Sequence, residues 1–193
     1  MAPNPAIGVL AICLAGLFAA APAGAQGAGD AIEVDLELVL AVDVSGSMDD
    51  EEHAVQRAGY VDAIGHPDFI RAIAAGAYQR IAVTYVEWAG SSLQETVMPW
   101  RLIDGQASAG AFADELAARP ITYIRGTSIS GALVYATALF NNNGFDGFRK
   151  VIDVSGDGPN NSGGFIEAAR DRAVAARRHA PRSGLFGLDD PQF

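Results

Sequence analysis

The amino-acid sequence predicts a doubly wound α/β fold, with a mostly parallel sheet and one antiparallel edge hairpin. Three observations lead to this prediction. Segments with strand character alternate with segments of helical periodicity, which is typical of a parallel sheet covered by helices. The strand segment at 34–42 becomes apolar on both faces, as in a sheet covered on both sides. Strand segments at 80–88 and 94–100 are joined by a short turn, which favours a hairpin.

The first strand and helix follow from the spacing of apolar residues. Valine and leucine alternate over 34–42, which predicts a strand. Residues 50–64 have helical spacing, with an apolar face expected to carry Val55, Tyr60 or Gly59, and Ile64. A Gly-His-Pro sequence at 65–67 is expected to end this helix, because proline cannot continue it.

The start of that helix carries an acidic signature. Ser47 or Asp49 is expected as the N-cap, and Glu52 fits the partner position of a capping box with Asp49. Four consecutive acidic residues at 49–52 are interpreted as a solvated first turn, where carboxylates are favoured by the helix dipole.

The remaining segments complete the alternating pattern. Pro99 is expected to place its strand at an edge of the sheet, because proline cannot donate to a ladder of hydrogen bonds. Trp88 and Trp100 are expected to pack in the core or the hairpin. The predicted elements are a short helix at 68–75, strands at 80–88 and 94–100, helices at 106–118 and 127–140, a buried strand at 149–154 and a helix at 165–178.

Oxygen-bearing side chains occur where the predicted strands end. Asp43, Ser45 and Ser47 are spaced two residues apart on the loop after the first strand. Thr127 lies at a predicted helix N-terminus, and Asp157 follows the last predicted strand. Ligands of open α/β sheets bind at the carboxyl ends of the strands. We therefore expect these residues to lie at one edge of the sheet.

This pattern resembles the von Willebrand factor A domain and its metal-ion-dependent adhesion site, which is spelled Asp-x-Ser-x-Ser, then Thr, then Asp. The resemblance covers about residues 33–176 and depends on VLAVDVSGSM, GTSISGAL and VSGDG in that order. The sequences VEWAG and SGDGPNNSG also resemble a family of secreted bacterial members of this class whose function is uncharacterised. The resemblance implies a Rossmann-like sheet.

The resemblance also implies a divalent cation and a partner. Ser45, Ser47 and Thr127 would touch the metal directly, and Asp43 and Asp157 would act largely through bound waters. Hydroxyl and carboxylate oxygens suit Mg²⁺ first, with Mn²⁺ or Ca²⁺ as alternatives. Neutral direct ligands leave most of the ion's charge uncompensated, so an open position could accept a carboxylate from a protein partner. The implied function is adhesion.

Each of these residues also has a simpler interpretation. Aspartate and serine at 43–47 are common in turns and N-caps. Thr127 alone could be only a helix cap, and Asp157 in a glycine-rich loop could be only a turn residue. The three histidines have no metal-ligand spacing and are expected at the surface: His53, His66 and His179.

Charge and motifs argue against two other function classes. The formal net charge of −10 is the opposite of the basic footprint that nucleic-acid binding requires. The chain lacks the common nucleophile-elbow and phosphate-loop motifs, so it is not expected to be an enzyme. The alternative is a Mg²⁺-dependent phosphoryl-transfer enzyme with Asp43 as nucleophile. The only lysine, Lys150, is predicted at a strand's start, which is the wrong end for that role.

The N-terminal residues have the features of a secretory signal peptide. Residues 1–25 carry no charged side chain and end in a small-residue cleavage site, with cleavage expected after Ala25. The apolar run is short for a membrane span, so a membrane anchor is the less favoured alternative and no stable membrane insertion is expected after cleavage. The mature chain is expected to be periplasmic or secreted. It would contain no cysteine, because Cys13 would be removed.

The C-terminal residues depart from the von Willebrand factor A pattern. A short linker at 26–32 precedes the domain at 33–176, and the tail at 177–193 has basic residues and two prolines where another buried strand is expected. We expect the last strands of the family to be missing through truncation or a frameshift. The alternatives are a genuinely short variant and a non-functional fragment.

Overall fold

A computed structural model describes residues 31–46, 49–121 and 125–177. The predicted signal peptide, Ser47 and the tail beyond 177 lie outside these ranges. The elements within them are β1 Ile32–Asp43, α1 Asp50–Gly65, α2 Pro67–Ala74, β2 Ile81–Trp88, β3 Gln94–Ile103, α3 Gln106–Ala117, α4 Ile129–Ala138, β4 Phe145–Ser155 and α5 Ile166–Arg177.

The described strands form one sheet in the order β3-β2-β1-β4. β1 pairs in parallel with β2 and with β4, and β2 pairs antiparallel with β3. This confirms the predicted mostly parallel sheet with an antiparallel edge hairpin. The register places Asp43 beside Trp88, and Val42 beside Ser155, so the carboxyl ends of the three parallel strands meet at one edge.

Apolar side chains cover both faces of the sheet, as in a doubly wound fold. The alternation of β1 sends Leu40 and Val42 into one core cluster, while Val39 and Ala41 enter the other. The first cluster includes residues of α1, α2 and α3, and the second packs against α4. The two-sided burial predicted for the end of β1 is therefore confirmed.

The buried face of α1 differs from the prediction. Ile64 is buried as expected, but Val55 is 67% exposed, while His53 and Arg57 are buried. The prediction that His53 lies at the surface is wrong, because the buried face of α1 includes it. His66 is exposed as predicted. Polar partners on other elements allow the helix to bury Arg57, which its local periodicity would place outside.

Arg57 is the centre of this buried polar cluster. Its guanidinium group forms an ion pair with Glu87 of β2 and donates to the carbonyls of Leu116 (3.0 Å) and Arg119 (3.2 Å). Burial raises the pKa of Glu87, and the charge and hydrogen bond of Arg57 oppose that rise. One side chain of α1 thereby connects the sheet to the end of α3.

The N-terminus of α1 agrees with the sequence analysis. The Asp49 side chain accepts a hydrogen bond from the Glu52 amide at 2.9 Å, and the Glu52 carboxylate accepts one from the Asp49 amide at 2.9 Å. These reciprocal bonds form the predicted capping box, so Asp49 is the N-cap. All four acidic residues at 49–52 are exposed, as predicted for a solvated first turn.

Two further elements differ from their predictions. Helix α4 begins at Ile129 rather than at Thr127, because Ser128 is its N-cap. β4 was predicted to be buried, but Arg149 and Asp153 are exposed and Phe148 is 84% exposed. The reason is positional: within the described sheet β4 is an end strand that pairs only with β1.

A buried carboxylate fixes the pairing of β1 with β4. Glu37 has no exposed surface, and it accepts hydrogen bonds from the Asn143 side chain at 2.6 Å and the Gly147 amide at 2.7 Å. The Lys150 ammonium group lies 3.2 Å from the same carboxylate. Lys150 therefore neutralises a charge within the sheet.

Candidate metal centre

Asp43 lies at the end of β1 with its carboxylate fully buried. The Ser45 amide donates a hydrogen bond to Asp43 Oδ1 at 2.8 Å. Asp43 Oδ2 is also buried and has no hydrogen-bond partner among the described residues. Buried carboxylate oxygens are normally hydrogen-bonded, so an oxygen without a partner is a natural place for a ligand.

The electrostatic surroundings of Asp43 connect it to two other predicted site residues. Burial raises the pKa of Asp43, hydrogen bonds from Ser45 lower it, and the nearby charge of Asp157 raises it again. Ser45 is itself buried. Two carboxylates and a hydroxyl are thus brought to one place, and the repulsion between the carboxylates would be relieved by a cation.

Thr127 is held in place by the loop that follows β4. Its amide donates to Asn161 Oδ1 at 2.9 Å, and its carbonyl accepts from the amides of Asn161 and Ser162 at 3.0 and 3.1 Å. The next residue, Ser128, donates its amide to the Ala89 carbonyl at 2.9 Å. Thr127 is therefore buried and fixed between the β2–β3 turn and the loop that carries Asp157.

Two glycines show how closely the β4 loop approaches the other site residues. A methyl group on Gly156 would lie 3.2 Å from Asp43 Oδ2 and 3.2 Å from the Trp88 ring. A methyl group on Gly158 would lie 3.9 Å from Thr127 Oγ1. Asp157 thus belongs to a segment that passes from the Asp43 carboxylate to the Thr127 hydroxyl.

Asp43, Ser45 and Asp157 therefore lie close together at the carboxyl edge of the sheet, and Thr127 lies beside the loop that follows β4. Ser47 lies outside the described residues. Within the described ranges, no group of three or more His, Cys, Asp or Glu side chains could hold a metal ion. A cation at this edge would depend on the serine and threonine hydroxyls as well as the carboxylates. Such an all-oxygen donor set suits a hard divalent cation.

Sequence reasoning missed two contributors to this site. The sequence predicts no role in the site for Asn161, yet its side-chain oxygen accepts from the Thr127 amide and its own amide donates to the Thr127 carbonyl. Arg125 lies near the Gly46 turn, since a methyl group added to Gly46 would lie 3.6 Å from Arg125 Cγ. The available signal was the position of Arg125, two residues before Thr127 on the predicted site loop.

Three solved structures are similar to this chain at low identity. Proximal thread matrix protein 1 from the mussel byssus aligns with a TM-score of 0.56 and 15% identity, over 76% of this chain and 37% of that one. The vWF domain of the type V pili tip protein Mfa5 from Porphyromonas gingivalis aligns with a TM-score of 0.44 and 18% identity, over 67% and 40%. The conserved hypothetical protein BatB from Bacteroides thetaiotaomicron aligns with 0.44 and 19%, over 74% and 62%.

The likeness to the mussel protein concerns the fold alone. The matched part of this chain spans less than two thirds of each of those three chains. The sheet topology of this chain defines its class, the α/β domains with a doubly wound sheet. Within it, residues 33–178 match the family described as "Protein of unknown function (DUF1194)", and the chain belongs to this family. No curated protein matches the chain significantly. No helix of the described ranges is long and apolar enough to cross a membrane.

Proposed function

We propose that this chain is a von Willebrand factor A-like domain that binds a divalent cation and, through it, an acidic group of a protein partner. The observation that carries the proposal is the buried Asp43 carboxylate, whose Oδ2 atom has no hydrogen-bond partner among the described residues. Its neighbours are the Ser45 hydroxyl and the charge of Asp157. This arrangement supports cation binding because a cation would satisfy the free oxygen and offset two negative charges.

The residues present fit a hard cation such as Mg²⁺, with Mn²⁺ or Ca²⁺ as alternatives. Asp43, Ser45, Thr127 and Asp157 would hold it, together with Ser47 of the same motif. Magnesium usually keeps some coordination positions for water or for another ligand. When bound, the cation would supply a positive charge that hydroxyl ligands do not neutralise, and a carboxylate from a partner could bind to it.

The proposal is for a binding function in the periplasm or outside the cell. The location rests on the uncharged and apolar first 25 residues. The binding role rests on the absence of the nucleophile-elbow and phosphate-loop motifs from the sequence, together with the open position expected on the cation. The acidic surface gives no support for a nucleic-acid partner.

One observation favours a second candidate, a Mg²⁺-dependent phosphoryl-transfer enzyme with Asp43 as nucleophile. Such an enzyme needs a basic group near the phosphate, and Arg125 lies near the Gly46 turn, three residues after Asp43. Phosphatase turnover that disappears in Asp43→Asn but survives in Asp62→Asn would favour this candidate over the binding function.

The first prediction concerns thermal unfolding of the full chain, expressed with its own N-terminal segment so that any processing occurs. In EDTA, and then with millimolar Mg²⁺ or Mn²⁺, we expect the midpoint to rise with metal because only the folded state binds it. At a metal concentration of 100 times Kd the gain is about 2.7 kcal/mol. The Asp43→Asn variant, which keeps the side-chain shape, should melt cooperatively and lose the rise.

The matched control is Asp62→Asn, which removes an exposed carboxylate on α1. It should retain the full metal-dependent rise. A wild-type midpoint that does not respond to metal, in a chain that still melts cooperatively, would contradict the cation site and leave the fold standing. An equal response in wild type and Asp43→Asn would place the cation elsewhere.

A further inference from the structure

The two edges of the described sheet are protected differently. β3, at one end, contains Pro99, and its pairing with β2 has register shifts around Tyr85. β4, at the other end, is an 11-residue strand without proline, and none of the described residues forms a strand on its outer side. Proline and irregular pairing discourage edge-to-edge association, whereas a long regular edge promotes it.

We propose that the outer edge of β4 pairs antiparallel with β4 of a second copy of this chain, about a two-fold axis through Val151. The two four-stranded sheets would then form one continuous sheet. A two-fold axis perpendicular to the sheet gives a closed dimer, in which the same surface is used by both copies. This proposal is independent of the proposed metal site.

The charges on β4 favour this register. In a symmetric antiparallel pair, each residue lies opposite the residue that is equally far from the axis on the other side. With the axis at Val151, Arg149 lies opposite Asp153 of the other copy, and this pairing occurs twice. Both side chains are exposed in the single chain. Opposite charges placed directly across an antiparallel pair are stabilising, and like charges are destabilising.

The apolar residues of β4 favour the same register. Phe148 is 84% exposed, so most of its ring is available for a contact with a second copy. With the axis at Val151, Phe148 lies opposite Val154, and Val151 lies opposite its own copy. Val151 and Val154 are only partly buried in the single chain, so they have surface available for this contact. An aromatic side chain beside a β-branched one is a favourable cross-strand pair.

Neighbouring registers lack this complementarity. An axis at residue 149 places Arg149 opposite itself, and an axis at residue 150 places Lys150 opposite itself. An axis at residue 152 moves Asp153 opposite Val151, so that Arg149 loses its acidic partner. A two-fold axis perpendicular to the sheet also keeps each layer of helices on its own side of the sheet. It therefore excludes any register in which a side chain on one face would lie opposite a side chain on the other face. Charge and shape therefore select one register.

Sedimentation velocity of the full chain, over a range of concentrations, tests the proposal. We expect a monomer–dimer equilibrium in the wild type and at least a tenfold weaker dimer in Arg149→Asp, since that change places like charges opposite each other twice. The double variant Arg149→Asp with Asp153→Arg restores the opposite charges and should restore the dimer. Arg101→Asp, on the other edge strand, is the matched control and should dimerise normally.

A cysteine at the axis gives a second, independent readout. In a Cys13→Ser background, Val151→Cys should form an intermolecular disulfide on mild oxidation, because it lies opposite itself. Val134→Cys, on the half-exposed surface of α4, should not. A wild-type chain that remains monomeric at all concentrations overturns the proposal, and so does a charge swap that fails to restore the dimer. A monomer would mean that another segment covers β4.

Discussion

Trp88 is an internal optical reporter for the candidate metal centre. Its ring and Asp43 Oδ2 both lie 3.2 Å from the position that a methyl group on Gly156 would take, and Trp88 is fully buried. A charge bound beside Asp43 would therefore change the environment of this ring. Trp100, the other tryptophan of the chain, is half-buried and donates to the Leu139 carbonyl at 3.0 Å, at the far end of α4.

We expect Mg²⁺ to change the intrinsic fluorescence of the chain through Trp88. In Trp100→Phe the metal-dependent change should persist, and in Trp88→Phe it should vanish, because the remaining ring lies away from the site. The measurement is a titration of emission against Mg²⁺ after EDTA treatment. A signal that follows Trp100 instead would argue that the cation binds away from Asp43.

The Arg57–Glu87 pair predicts a large and specific loss of stability. The substitution Arg57→Met leaves the Glu87 carboxylate buried without its partner, and breaking a buried pair in this way costs about 3–5 kcal/mol. Adding Glu87→Gln should recover most of the loss, since the buried charge is then gone. The measurement is the free energy of unfolding in urea.

An exposed ion pair on the same side of the sheet is the control. Arg71 and Asp68 of α2 are both well exposed, so Arg71→Met should cost at most about 1 kcal/mol. Equal losses from Arg57→Met and Arg71→Met would mean that the Arg57 site is hydrated.

The N-terminus of α4 depends on one glycine of the β4 loop. Gly163 has a φ of +85°, and a methyl group there would lie 2.4 Å from Ser128 Oγ. That oxygen caps α4 by accepting a hydrogen bond from the Gly131 amide at 3.2 Å. An alanine at this position would therefore be strained in its backbone and would also displace the cap.

We expect Gly163→Ala to lower the free energy of unfolding by about 1–3 kcal/mol. Gly164→Ala is a matched control in the adjacent position, where a methyl group meets nothing within 4 Å. It should change stability by about 0.5 kcal/mol or less. Chemical denaturation of both variants gives the comparison, and indistinguishable values would contradict the role assigned to Gly163.

Local pattern was sufficient to predict the elements and insufficient to predict their surroundings. The strands and helices were identified because alternation and capping are properties of neighbouring residues, as the Asp49–Glu52 box illustrates. The buried face of α1 was misjudged because Arg57 finds its partners on β2 and α3, far along the chain. The exposure of β4 was misjudged because burial depends on which strands lie beside it.

The residues of the candidate site that belong to a sequence motif could be predicted from the sequence. The spacing at Asp43 and Ser45, with Thr127 and Asp157 downstream, was enough to place those residues at one edge of the sheet. Asn161 was not predictable, because its role arises from a tertiary hydrogen bond to the Thr127 amide. An asparagine in a polar loop carries no local signal for such a bond.

For the whole molecule, burial predicts an order of local opening. β1 pairs on both sides and contributes to both cores, whereas Ala169 is the only buried residue of positions 166–176 in α5. We expect the amides of β1 to exchange with solvent only on global unfolding. The amides of α5 should exchange through local opening, which requires less free energy than global unfolding. Hydrogen exchange followed by mass spectrometry tests this, and equal protection of α5 and β1 would contradict it.

The Glu37 carboxylate gives the chain a way to reject wrongly paired sheets while it folds. A slip of β4 along β1 would separate Glu37 from the Gly147 amide and Lys150, leaving a buried charge alone at a cost of about 3–5 kcal/mol. Because each 1.4 kcal/mol is a factor of ten, misregistered chains would be disfavoured by about 100-fold or more. Glu37, which favours the correct pairing, lies six positions before Asp43 on the same strand. A correct register between β1 and β4 at Glu37 therefore also fixes where Asp43 lies relative to the loop after β4, at the carboxyl ends of the two strands.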